Sequence, residues 1–208
     1  MGHDTWQEFS VRWSLNEQQV DQFKRYFALL IEKNKLFNLT TIVDEPSVLD
    51  YHFADSLFVT RFFPVEKSVG LLDVGTGAGV PGVLLAIIYP QLPVLLMEVT
   101  EKKRDFLALV KNELHLDNVS ITAVDWRNFL RQKPVQKIDL VCARASLRPD
   151  ELVHMFKETS PYRDATLIYW ASQDFVLGRR EQRFFVREER YRVGDRERRY
   201  IFFRDVRA

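Results

Sequence analysis

The spacing of apolar residues changes character once along the chain. From Ser14 to about Phe63 it is helical: Val20, Phe23, Phe27, Leu30 and Ile31 recur at three- and four-residue intervals, and "SLNE" ahead of them reads as a capping box of Ser14 and Glu17. A second helical start stands at "DEPS", where Asp44 can cap and Pro46 fits the first turn, leading into "VLDYHFADSLFVTRFF" before Pro64 closes the unit. From Val69 onward, short apolar runs alternate with helical stretches, in the order "VGLLDV", "PGVLLAIIY", "PVLLME", "EKKRDFLALVKNEL", "VSITAV", "IDLVCA", "DELVHMFKE" and "ATLIYWA". Such alternation predicts right-handed crossovers and a mostly parallel sheet covered on both faces, with ligands bound beyond the carboxyl ends of the strands. After Ala171 the next helix is missing, because "SQDFVLGRR" is short and broken. The runs around "RFFVREERY" and "RRYIFF" predict an antiparallel hairpin instead. The expected architecture is α/β, with a helical N-terminal cap over 1–66 and a Rossmann-like domain over 67–208.

Composition narrows the class. With 208 residues, 46% of them hydrophobic, the chain can bury one sizeable core. Cys142 stands alone, so no intrachain disulfide forms. The opening "MGHDTWQEFS" has no apolar leader core, and no apolar run is long enough to span a bilayer. A cytoplasmic monomer, away from the membrane, is the expectation. The net charge of +1 is unevenly spread: the segment from Gly178 to Ala208 carries 11 Arg against 6 acidic residues. That end would attract a polyanion, or else present a solvated arginine face.

The stretch "LLDVGTGAGVPGVLLAIIYP" sets four glycines between two apolar runs. Gly75, Gly77 and Gly79 can take positive φ and let a ligand touch bare backbone, whereas a turn made only for packing would need fewer of them. The piece "GAGVPG" also satisfies a dinucleotide pattern with Gly77, Gly79 and Gly82. Asp73, at the mouth of the loop, would repel a pyrophosphate and suit a cation such as S-adenosylmethionine. Glu98, ending the second strand, can accept from ribose hydroxyls of either cofactor, or can cap the helix that opens at "TEKKRDFL".

These pieces together resemble the bacterial 16S rRNA guanine-N7 methyltransferase family once called glucose-inhibited division protein B. The matching stretches are "NKLFNLT" (34–40), "HFADS" (52–56), "DVGTGAGVPG" (73–82), "EVTEKKRDFL" (98–107) and "ARA" (143–145), collinear over roughly three quarters of the chain. The resemblance implies a class I S-adenosylmethionine-dependent methyltransferase sheet. It also implies N7 methylation of a guanine, giving 7-methylguanosine in 16S rRNA of the small ribosomal subunit, with no metal. Carried over, it places the cofactor against Gly75 and Val80, against Trp126 and Arg127 after the third strand, and against Arg144 after the fourth. Arg144 could grip a carboxylate or phosphate in a planar fork, or cap the next helix from the surface.

The chain departs from the family at three places. In "VDWRN", Arg127 stands where an acid usually meets adenine, and Asp125 two residues earlier could accept from the exocyclic amine while Trp126 lies against the ring. The Lys-Gly after the fifth strand is replaced by "WASQD", and the glycines before that strand by "SPYRDA". Guanine N7 loses no proton on methylation, so positioning suffices and no catalytic base is expected. His52 and Asp55 then read as ligands of the first loop or as hydrogen bonds between the two parts of the chain. The expected RNA contacts are Arg179, Arg180 and Arg183 of the arginine-rich end, where aromatic residues interleave, or else Lys102, Lys103 and Arg104, which open the helix beside the cofactor. Other readings stay open: a methyltransferase of the same fold acting on a small molecule or protein, a dinucleotide-binding oxidoreductase, and an RNA-binding protein without turnover.

Overall fold

The computed structural model describes residues 5–134 and 136–205, so residues 1–4 of the opening and the end of the arginine-rich segment lie outside the described residues. A seven-stranded sheet runs in the order β3-β2-β1-β4-β5-β7-β6. Five strands are parallel: β1 (Leu71–Val74), β2 (Val94–Met97), β3 (Val119–Thr122), β4 (Leu140–Arg144) and β5 (Thr166–Ala171). The hairpin of β6 (Phe185–Val193) and β7 (Arg196–Phe203) adds to β5 antiparallel, as its sequence predicts.

Strands β1, β2, β4 and β5 are largely apolar because both of their faces are covered, whereas the edge strand β3 exposes Ser120 and the hairpin carries charged residues outward. On one face, Leu71, Leu96, Leu140, Cys142 and Ile168 join a core with residues of α5 (Gly82–Ile88) and α6 (Glu101–Glu113). On the other, Leu72, Val74, Met97, Val141 and Ala143 pack with Trp126 and Phe129 of α7 (Trp126–Phe129) and Leu152 of α8 (Pro149–Leu152). Side chains alternate between faces along a strand, so parity assigns each residue to one of these layers. The N-terminal helices extend the first layer: Phe9, Phe23, Tyr26 and Leu30 are fully buried in the same core as Leu84 and Phe106. Each such aromatic contributes about 1.5–3 kcal/mol by leaving water.

The N-terminal helices differ from expectation in detail. A short helix, α1 (Trp6–Arg12), precedes the predicted one, capped by Thr5 and Glu8 in a reciprocal box. The long helix α2 (Glu17–Phe37) is capped by Asn16 with Gln19, not by Ser14 with Glu17. Ser14 sits at φ 51°, in the turn leaving α1, and so cannot be an extended cap residue. Asp44 does cap α3 (Glu45–Val48), accepting from Ser47 N at 2.9 Å. The following Leu49–Ala54 winds as a π-helical turn before α4 (Asp55–Leu57). Among the described residues no helix is long and apolar enough to cross a membrane.

Candidate active site

A cleft of about 380 Å³ opens at the carboxyl edge of the sheet, where Val74 and Gly75, Met97 to Val99, Asp125 to Arg127, and Ala145 to Leu147 converge. Its floor is apolar, and Glu98, Lys103, Asp125, Arg127 and Glu151 supply charge around it. Five of the residues expected at the cofactor are therefore gathered here: Gly75, Glu98, Asp125, Trp126 and Arg127.

Glu98 organises the cleft. Only 5% exposed, it accepts from Gly77 N at 3.0 Å through Oε2 and from Thr100 N at 2.8 Å through Oε1, tying the glycine loop to the start of α6. Four more of the loop donors are also engaged. Thr76 N donates to Met97 O, Gly79 N and Val80 N to Thr76 O, and Gly82 N to Asp73 Oδ2. A pyrophosphate loop needs its N–H groups aimed outward at the anion; here two of them already serve carboxylates.

Asp73 is not at the mouth of this loop. It shares parity with Leu71, so its side chain points into the layer of α5, fully buried, where Oδ2 accepts from Thr76 Oγ1 at 2.5 Å and from Gly82 N at 2.8 Å. Its role is to shape the loop from behind. Burial, opposed by those hydrogen bonds and by Arg144, pushes its carboxyl up from 3.8 to about 6. The folded chain thus binds an extra proton between these values, and the stability this confers is present below pH 4 and lost as pH rises through 6. Asp73→Asn abolishes the titration. The stability of the variant relative to the parent should rise by about 2 kcal/mol between pH 4 and pH 6.5. Urea midpoints at the two pH values measure this, and a difference that does not move with pH would contradict it.

The two glycines do different work. At Gly75 (φ +66°) a Cβ would fall 2.5 Å from Ser146 Cβ, so this glycine lets the loops after β1 and β4 touch. At Gly77 (φ +61°) a Cβ would meet nothing within 4 Å, so that backbone faces open space beside Glu98. Gly77→Ala should cost about 1–2 kcal/mol for the left-handed conformation alone, and Gly75→Ala more, because the clash adds to it. Chemical denaturation of the two variants side by side gives the order; equal costs would refute the packing role of Gly75.

Arg144 does not enter the cleft. Its parity is that of Leu140 and Cys142, so it turns toward the N-terminal helices, where its side chain is 16% exposed. There its Nε lies 3.0 Å from Asp55 Oδ2, Nη2 donates to Tyr51 O at 2.5 Å, and Nη1 meets His52 Nδ1 at 3.4 Å. The other His52 nitrogen is 2.7 Å from Thr40 Oγ1, and Thr40 is bracketed by the Asn34 amide. The stretches "NKLFNLT", "HFADS" and "ARA" thus meet in one network. His52 and Asp55 join the two parts of the chain and do not bind the glycine loop. Burial and Arg144 hold His52 neutral down to about 3. Val80 likewise packs against the apolar core away from the cleft.

Trp126, nearly buried, donates through Nε1 to Glu151 O at 3.0 Å and stacks on Phe129. Asp125 caps α7, accepting from Asn128 N and Nδ2, which lowers its pKa. Ser146, Leu147 and Glu151 were missing from the sequence reading, although they follow the carboxyl end of β4, where an α/β sheet places ligands.

The basic residues expected to hold RNA are scattered. Lys103 lines the cleft and Lys102 is exposed, while Arg104 donates to Glu98 O and Val99 O and so braces the turn into α6. Arg180 meets Asp150 O and His154, and with Arg183 borders a separate hollow of about 590 Å³. That hollow runs from His154, just after α8, to Arg163 and Asp205 beside the amino end of β5, and none of the residues lining the cleft lines it. The interleaved aromatics Tyr191, Tyr200, Phe202 and Phe203 are buried, and Phe184 and Phe185 partly so; they pack on the sheet.

A sheet of this order, with a cleft at its carboxyl edge, is that of class I S-adenosylmethionine-dependent methyltransferases. The structure of M. capricolum TrmK in complex with S-adenosyl-homocysteine superposes with a TM-score of 0.53 at 13% identity, covering 70% of this chain and 68% of that one. A family model for GidB, rRNA small subunit methyltransferase G, matches residues 19–183, and the chain belongs to that family. The ribosomal RNA small subunit methyltransferase G of Lachnoclostridium phytofermentans is 40% identical over 147 residues, which span 70% of this chain and 61% of the relative. That of Leuconostoc citreum is 48% identical over 110 residues, 52% of this chain and 46% of the relative. The chain therefore aligns with less than two thirds of the length of these relatives.

Proposed function

We propose that the chain transfers the methyl group of S-adenosylmethionine to N7 of a guanine in 16S rRNA of the small ribosomal subunit, acting in the cytoplasm. The observation that carries this reading is the glycine loop: five of its N–H groups, those of Thr76, Gly77, Gly79, Val80 and Gly82, are committed to Glu98, Asp73 and nearby carbonyls, leaving few for the pyrophosphate of a dinucleotide. Membership of the methyltransferase G family and the cofactor product bound by TrmK support the same reading.

The residues present fit the cofactor. A carboxylate offers about four acceptor sites, so Glu98 keeps capacity for ribose hydroxyls after serving Gly77 and Thr100. Val99, Trp126 and Leu147 offer apolar surface for adenine, and the Asp125 carboxylate in the same lining offers an acceptor for the exocyclic amine. S-adenosylmethionine supplies a methyl group activated by a sulfonium. Transfer forms the N7–methyl bond as the sulfur–methyl bond breaks, and positive charge passes to the purine with no proton to remove. His52 and Asp73, both turned away from the cleft, are not needed as bases; the chain contributes alignment and the exclusion of water.

Titration calorimetry with S-adenosylmethionine, S-adenosylhomocysteine and NAD tests the cofactor. Saturable binding of the first two and none of NAD is expected. NAD binding as tightly as the others would restore the oxidoreductase reading.

A further inference from the structure

Beyond the cleft, the carboxyl edge of the sheet continues to the tip of the β6–β7 hairpin. β7 is antiparallel to β5 and β6 antiparallel to β7, so the turn at Gly194 and Asp195 lies on the same edge as the exits of β1 and β4. A chain of contacts links the two regions. Arg144 reaches Tyr51 O, the Tyr51 hydroxyl donates to Asp195, and the Arg196 guanidinium lies 3.9 Å from the centre of the Tyr51 ring. Alongside is a hollow of about 820 Å³ walled by Arg190, Tyr191, Arg192, Arg198 and Arg199, with Glu197 across from Arg192 and Gln173 and Asp174 from the loop after β5.

These arginines are not equivalent. Arg198 approaches Asp55, and Arg199 is occupied by Glu188 and by the carbonyls of Ser172 and Gln173. Arg192 is exposed and has no ion-pair partner among the described residues. Arg190 is 76% exposed in a surface pair with Glu188, and Arg196 is 48% exposed with Asp195 no nearer than 3.9 Å. Exposed pairs of this kind are weak and yield readily to a phosphate. Because the hairpin's aromatics face the core, this surface offers charge without base stacking.

We propose that the RNA strand flanking the target nucleotide lies across the hairpin tip, with Arg190, Arg192 and Arg196 on its phosphates, an assignment that rests on the rRNA methylation reading. A strand laid there runs along the edge toward the cleft, whereas one held by Arg180 and Arg183 would lie in the separate hollow beside α8. Binding at the tip is backbone-directed and strongly dependent on salt.

The test is the full-length Arg190→Gln/Arg192→Gln variant, which changes two exposed side chains. Its binding to a 16S rRNA transcript is measured over a series of NaCl concentrations, with S-adenosylmethionine affinity as the control. The slope of log affinity against log salt should fall by about 1.4–1.8, for two lost phosphate contacts, with cofactor affinity unchanged. An Arg179→Gln/Arg180→Gln/Arg183→Gln variant should keep the parent slope. An unchanged slope in the hairpin variant, while the parent binds with clear salt dependence, overturns the assignment, as does a loss confined to the triple variant. A parent that binds S-adenosylmethionine but shows no salt-dependent binding to the transcript overturns the rRNA reading itself.

Discussion

Replacing Asp55 by alanine is expected to lower the unfolding free energy by about 3–5 kcal/mol, the cost of leaving a buried charge without its partner. Asp55 is 1% exposed and stands where the N-terminal helices, β4 and the hairpin meet. Its Oδ2 pairs with Arg144 Nε at 3.0 Å, and its Oδ1 accepts from the Tyr191 hydroxyl at 2.8 Å. Its carbonyl accepts from Trp170 Nε1 at 3.2 Å and from the Tyr200 hydroxyl at 2.7 Å, and those two bonds survive the substitution. What is lost is the carboxylate, and Arg144 then sits largely out of water without a counter-charge. The Asp55→Ala/Arg144→Met double variant should cost much less than the sum of the single changes. Urea unfolding of all four proteins measures that coupling. Additive costs would mean that the pair does not join the two parts of the chain.

The second large effect is on the cofactor. Glu98→Ala removes the carboxylate proposed to hold the ribose and also releases Gly77 N and Thr100 N. Two charge-assisted hydrogen bonds at about 1.5–3 kcal/mol each predict a fall in S-adenosylmethionine affinity of roughly 100-fold or more. Glu98→Gln keeps one acceptor but aims an amide at one of the two N–H groups, so an intermediate loss is expected. Calorimetry on variants whose melting temperatures show them folded gives the answer. Parent-like affinity in the alanine variant would remove Glu98 from the site.

The parts of this molecule legible in its sequence are those set by local chemistry. Strands β1, β2, β4 and β5 could be read as short apolar runs because each is covered on both faces, β3 from its place between two helical stretches, and the hairpin because "SQDFVLGRR" cannot form a helix. The glycine loop and the acid at the end of β2 could be read from their positions beside strands. Two-sided burial also hid what mattered most at the site. When both faces of a strand are apolar, parity groups Asp73 with Leu71 and Arg144 with Cys142, but it does not say which layer holds the cleft. Both residues turned out to face the other layer, Asp73 against the start of α5 and Arg144 toward the N-terminal helices. The shifted helix cap has a similar origin. Ser14 with Glu17 and Asn16 with Gln19 have the same spacing, and only the turn leaving α1, which puts Ser14 at φ 51°, decides between them. The Arg144–Asp55 pair rests on tertiary contact that no local pattern encodes.

The central claim, methyl transfer to guanine N7 of 16S rRNA, is tested most directly on small subunits from cells lacking this gene. The subunits are incubated with the purified protein and S-adenosylmethionine, and the extracted 16S rRNA is then reduced with borohydride and cleaved with aniline, which cuts the strand at N7-methylguanine. A new cut at one guanine, dependent on both protein and cofactor, is expected. No new cut from a protein that binds S-adenosylmethionine, or methyl incorporation at another atom or into another molecule, would contradict it.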